Sequence, residues 1–173
     1  SGLMIAYCSF VDNNKIINFE IVDSLKMINM PLSKFGKSFD LTVKKEILPY
    51  DLYTEQNVAK KYIDVDECLK FVKKEEQDEY LKNVEEWNCY YDDKRKINII
   101  WYSIQYCKMD CIVLKQGYEK FQSLVKEGLN IDIADYISLA SVSDDYLKIQ
   151  GCYDNVYQLC GIPRAFIQKC IIG

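Results

Sequence analysis

The sequence predicts an α/β fold in which an N-terminal β-hairpin is followed mostly by helices. Three observations carry that expectation. Leu3 to Phe10 and Lys15 to Val22 are dense in Ile, Val, Phe and Tyr, and they flank Asp12-Asn13-Asn14, a sequence suited to a hairpin turn. From Ile97 to about Lys126 apolar residues recur at helical spacing over far more than the length of a strand. With only 7 Gly and 3 Pro in 173 residues, little interrupts the helical patterns that follow.

Each element has its own reason. Two strands do not make a stable sheet, so the hairpin must pair with further strands, either within the downstream loops or upstream of this segment. Leu32 to Phe39 reads as a short helix, with Pro31 at a position compatible with its start, and Pro49-Tyr50-Asp51 reads as a turn. Between Asp64 and Glu86 the chain is strongly charged. Leu69, Val72, Tyr80 and Val84 supply a partial apolar stripe there, which predicts one or two solvated helices. The long helix is expected to end at Gly128 and Asn130. Ile131 to Leu147 and Pro163 to Ile171 read as two more helices, joined through Gly151 to Gly161.

At 173 residues and 49% hydrophobic content, the chain is long enough to bury a core without staples. A net charge of −4 argues against a protein that coats nucleic acid electrostatically, while leaving room for a local basic track. There are 8 Cys, none in a Cys-x-x-Cys pair, and 0 His, which excludes His-containing zinc sites and His-based catalytic triads. Cys107, Cys111 and Leu114 follow helical spacing with Ile104, so most of the cysteines are expected to be small apolar core residues in a reducing compartment. No stretch reaches the length of a bilayer span, and Ser1-Gly2-Leu3-Met4 lacks the basic start and apolar run of a signal peptide. The expectation is a soluble, intracellular protein with no membrane partner.

Tyr106 and Asp110 stand four apart on the long helix and so share a face. A carboxylate that holds a divalent ion beside a phenol that orients water suits metal-assisted phosphodiester hydrolysis. In a chain with 14 Tyr that spacing also arises by chance, and taken alone it equally describes a surface Asp beside a core Tyr.

Several pieces in order resemble the exonuclease domain of family B DNA polymerases, in the protein-primed branch found in viruses and mobile elements. Asp23-Ser24-Leu25-Lys26-Met27-Ile28 resembles that branch's Ser/Thr-Leu-x-x-hydrophobic motif. Leu41 to Tyr50 resembles its Lys-x-x-hydrophobic motif, with Lys45 as the matching lysine and Lys44 as the alternate register. Tyr106 to Asp110 falls where the third exonuclease motif stands, and Asp132 to Ala140 with Ile162 to Ile167 are similar to the lead-in to the palm domain.

The resemblance implies a ribonuclease H-like fold, with a partial exonuclease domain over 1–127 and a helical connection toward a palm over 128–173. It implies that Ser24 and Leu25 contact single-stranded DNA, with Lys26 and Lys44 on phosphates, and that Lys45 supports catalysis. Tyr106 would orient the attacking water. Asp110 would be a ligand for Mg2+ or Mn2+ in the parent enzyme, with no ion expected to bind tightly to this chain alone. Lys26, Lys34, Lys37, Lys44 and Lys45 form a basic track that agrees with phosphate contacts.

The departures from the family pattern matter equally. No Asp-x-Glu occurs in the chain, and two metals are not held by one carboxylate. Asn88-Cys89-Tyr90-Tyr91-Asp92 fits the second exonuclease motif literally but follows the Ser-Leu motif instead of preceding it, and is taken as coincidence. The expected function is therefore a segment of a DNA polymerase that serves proofreading and single-strand binding in replication and is inactive in isolation. Its implied partners are a primer terminus and, in the parent, a terminal protein. An exposed sheet edge predicts self-association. A free-standing, non-catalytic polymerase-derived binding protein is the alternative, and an unrelated α/β interaction domain a third reading. A viral source would place the chain in the host cytoplasm or in a virion or replication compartment.

Overall fold

The computed structural model describes residues 5–157 and 159–171. They divide into two compact units, one of Ile28–Ser123 and one of the described residues within Ser1–Met27 and Leu124–Gly173. Among the described residues no helix is long and apolar enough to cross a membrane.

In the unit that joins the two ends of the sequence, β1 (Ile5–Asp12) and β2 (Lys15–Val22) form the expected antiparallel hairpin, in register from Ile5 opposite Val22 to Asp12 opposite Lys15. Asn13 and Asn14 turn it with φ of 46° and 63°. A two-residue hairpin turn needs positive φ at both central positions, and Asn tolerates that conformation better than most side chains. Leu3 and Met4, placed in the first strand by the sequence, lie outside the described residues. Among the described residues no third strand joins this pair, so the strands expected in the downstream loops do not extend it. Every residue of β2 is exposed.

The same unit holds the end of the long helix α5 (Ile99–Leu129). The helix runs through Gly128 and stops at Asn130, whose φ of 55° reverses the chain. A helix over 131–147 was expected, but Asp132 first caps a 3-10 turn, Ile133–Asp135. The α-helix begins only at α6 (Leu139–Ile149), where Ser138 and Ser141 form a capping box. Finally, α7 covers Gly161–Cys170. Ile131, Ile133 and Val142 are buried.

In Ile28–Ser123, a 3-10 turn after Pro31 leads into α1 (Phe35–Ser38), and an extended stretch then reaches the 3-10 turn Tyr50–Leu52. Next come α2 (Glu55–Lys60), β3 (Tyr62–Asp64), α3 (Val65–Leu69), α4 (Gln77–Glu86), β4 (Tyr90–Tyr91) and β5 (Lys96–Asn98), which runs into α5. The three strands form an antiparallel sheet in the order β3-β5-β4, which the sequence pattern did not reveal. Strands of two or three residues are too short for alternation to show.

Around this sheet Leu52, Ile63, Cys68, Tyr80, Val84, Cys89, Ile97, Ile99 and Tyr102 are almost completely buried. The run Asn88 to Asp92 belongs to this framework. Asn88 and Asp92 take positive φ of 52° and 55° at either end of β4, and Tyr91 stacks on Tyr62 with ring centres 4.3 Å apart. A close approach joins α1 to α5, because a Cβ at Gly117 would lie 2.3 Å from the Phe35 ring.

The cysteine expectation needs correction. Only Cys68 and Cys89 are buried; Cys107, Cys111, Cys152, Cys160 and Cys170 are exposed, and all eight thiols are free. Helix α5 buries the face bearing Ile99, Tyr102, Tyr106, Val113 and Gly117. Ile104, Cys107, Cys111 and Leu114 stand on another face and are exposed. A helix with two apolar stripes turns inward the one whose aromatic bodies cover more area.

Candidate functional site

The long helix supplies two members of the site. Tyr106 is buried to 5% exposure, and Asp110 follows one turn later. The third member comes from the extended stretch before the Tyr50–Leu52 turn. Two bonds secure that stretch: the Tyr102 hydroxyl donates to the Ile47 carbonyl at 2.7 Å, and the Asn83 amide donates to the Glu46 carboxylate at 2.8 Å. Successive side chains of an extended segment point to opposite sides, so only one of the two adjacent lysines can face the helix. That lysine is Lys45. Its Nζ lies 3.9 Å from Asp110 Oδ2 and 5.8 Å from the centre of the Tyr106 ring. Lys44 instead pairs with Glu79 of α4.

A fourth residue completes the cluster. The Tyr50 hydroxyl is 3.1 Å from the Tyr106 hydroxyl, although Tyr50 itself is 66% exposed. Burial first, then the hydrogen bond to Tyr50 and the nearby Asp110 carboxylate, push the Tyr106 phenol well above its ordinary pKa, so it keeps its proton at neutral pH. Asp110 is asymmetric. Oδ2 faces Lys45, while Oδ1 is buried with no hydrogen-bond partner.

Lys44, Lys45, Ile47, Tyr50, Glu79 and Tyr106 are among the walls of a cleft of about 370 Å3. A second cleft of about 540 Å3 shares Ser33, Lys44 and Glu46 with the first and adds Lys37, Thr42 and Met109. Ser24, Leu25 and Lys26 belong to the other unit. They form a 3-10 turn in which Asp23 accepts from the Leu25 amide at 3.0 Å. Sequence reasoning missed Tyr50 and Glu79. Tyr50 offered only a Pro-Tyr-Asp turn as a signal, and Glu79 sat within a run of charge that reads as solvated surface.

Could these residues hold a divalent cation? A hard cation needs about six oxygen ligands. Among the described residues no three His, Cys, Asp or Glu side chains cluster to hold one. Among the described residues the set therefore falls short of the oxygen ligands such a cation needs.

The chain is 24% identical over 135 residues to a probable DNA polymerase of Ascobolus immersus, an alignment covering 75% of this chain and 11% of that protein. It thus spans about a tenth of that relative's length. No solved structure matches the chain. The family described as DNA polymerase type B, organellar and viral, matches over residues 4–157, most of the sequence. The chain belongs to the organellar and viral type B DNA polymerases.

Proposed function

We propose that this chain forms one wall of a 3'-5' proofreading exonuclease site in a protein-primed type B DNA polymerase, within a ribonuclease H-like fold, and that it binds the single-stranded end of a primer. The observation that carries this reading is that Lys45, from the extended stretch, reaches both Asp110 and Tyr106 of the long helix, beside a cleft that Lys45 and Tyr106 line. Lys45 is suited to neutralise a scissile phosphate beside Asp110. The Tyr106 hydroxyl, kept protonated by burial and bonded to Tyr50, is suited to donate to a water or a phosphate oxygen. Asp110 Oδ1 is the oxygen this chain offers to Mg2+ or Mn2+, the other ligands coming from outside the described residues. Such a cation, when bound, lowers the pKa of its water and offsets phosphate charge. The chain alone holds single strands without cutting them, since no Asp-x-Glu accompanies Asp110 in its sequence. Ser24, Leu25 and Lys26, which belong to the other unit, contact single-stranded DNA in their own right, and a terminal protein is the partner of the parent enzyme.

Fluorescence anisotropy with a labelled oligo(dT) tests this reading. Lys45→Ala weakens binding, and the slope of log K against log salt falls by about 0.7, as expected for one lost phosphate contact. A mutant with unchanged affinity and unchanged salt slope would sink the proposal.

A further inference from the structure

We propose that Glu79 is a displaceable acidic latch, whose carboxylate holds Lys44 across the cleft and occupies the place that a phosphodiester of single-stranded DNA takes on binding. The inference rests on the single-strand reading above. Lys44 and Glu79 lie on separate elements, the extended stretch and the first turn of α4, and both line the cleft that contains Lys45 and Tyr106. The Glu79 carboxylate accepts a hydrogen bond from the Lys44 ammonium. A second carboxylate close by, Glu46, is engaged elsewhere, by the Asn83 amide at 2.8 Å. Glu79 is therefore the anion seated on Lys44.

The bond is built to be exchanged. The side chains of Lys44 and Glu79 keep 63% and 38% of their surface open to solvent, and ion pairs in water contribute little. A phosphodiester brings the same charge to the same ammonium and adds contacts along its strand. Lys44 also borders the second cleft with Ser33 and Lys37, and Lys37 makes no ion pair among the described residues. Releasing Lys44 from Glu79 would free its ammonium at the place where the two clefts meet, with Lys45 on one side and Lys37 on the other. The Lys44 ammonium is held above its ordinary pKa chiefly by its hydrogen bond to Glu79, against a smaller opposing effect of burial. Its charge is thus present and locally cancelled.

The test compares the full chain with Glu79→Gln, Lys44→Ala, the double variant and Lys45→Ala, using anisotropy of a labelled oligo(dT). Removing the competing charge tightens binding by about three- to tenfold, and the gain disappears in the Lys44→Ala background. If Glu79→Gln binds no better while Lys45→Ala still weakens binding, the latch is wrong and the single-strand reading survives. If Lys45→Ala changes nothing, that reading itself fails. A second measurement needs no DNA: acetic anhydride labelling at pH 8, read by mass spectrometry, should modify Lys44 faster relative to Lys37 in Glu79→Gln by about two- to fivefold. Equal relative rates would overturn the latch.

Discussion

Among the described residues the two longest strands are the most exposed, whereas two strands of three residues each send a side chain into the core. The eight-residue β2 is exposed along its whole length, whereas the three-residue β3 and β5 place Ile63 and Ile97 beside Tyr80 and Tyr102 in nearly complete burial. The difference teaches that regular backbone pairing and tertiary burial have separate origins. The hairpin follows from local features, a turn that accepts two positive φ values and β-favouring residues on either side. The small sheet forms because helices α3, α4 and α5 enclose it, and its ladders are too short to stand alone.

The largest test of this contrast is truncation of an aromatic side chain in each region. Tyr102→Ala removes a buried ring packed 4.8 Å from that of Tyr80 and 4.9 Å from that of Trp87, and should cost about 3–5 kcal/mol in urea unfolding. Phe19→Ala, which loses only an edge contact to Phe10 at 6.0 Å, should cost less than about 1 kcal/mol. A loss at Phe19 as large as that at Tyr102 would mean the hairpin face is covered in solution, which would break the comparison.

Two glycines of α5 sharpen it further. At Gly117 a Cβ would meet the Phe35 ring at 2.3 Å, so Gly117→Ala should destabilise by about 1–3 kcal/mol. At Gly128 nothing lies within 4 Å of the new methyl, and Gly128→Ala should stabilise by up to about 1 kcal/mol through helix propensity. Denaturant midpoints moving in the same direction for both would refute the packing described for α1.

The smallest effect appears at alkaline pH. Burial pushes the Cys68 thiol up from 9.0 to about 12 and the Cys89 thiol from 9.0 to about 11, with the buried Tyr80 and Tyr102 phenols shifted in the same direction. A folded-state pKa above the unfolded one means the folded chain holds its proton more tightly. That stabilisation is complete below about pH 9 and is lost as pH rises through the folded values. Urea midpoints measured from pH 7 to 10.5 should be level at first and then fall. In Cys89→Ala the fall should be shallower.

Much of the local structure was legible in the residues. Asp12-Asn13-Asn14 marked the hairpin, Pro31 the short helix, and Val72, Tyr80 and Val84 the buried side of the charged region. The start near Ile97 was displaced because a strand runs directly into α5, while the end expected at Gly128 and Asn130 stands, with Asn130 in the left-handed conformation. The exposed stripe of Cys107 and Cys111 was misread because spacing reports that residues share a face without saying which way it points.

The sequence by itself determined the hairpin, the long helix and the pairing of Tyr106 with Asp110 on one side of it, since each depends on bonds and spacings within a few residues. Only the tertiary structure decided that Lys45 and not Lys44 meets Asp110, that Tyr50 reaches Tyr106 and that Glu79 holds Lys44. These contacts join residues whose separation along the chain carries no periodic signal. They follow from the packing of the extended stretch, α4 and α5 against one another, which places these residues within reach of each other.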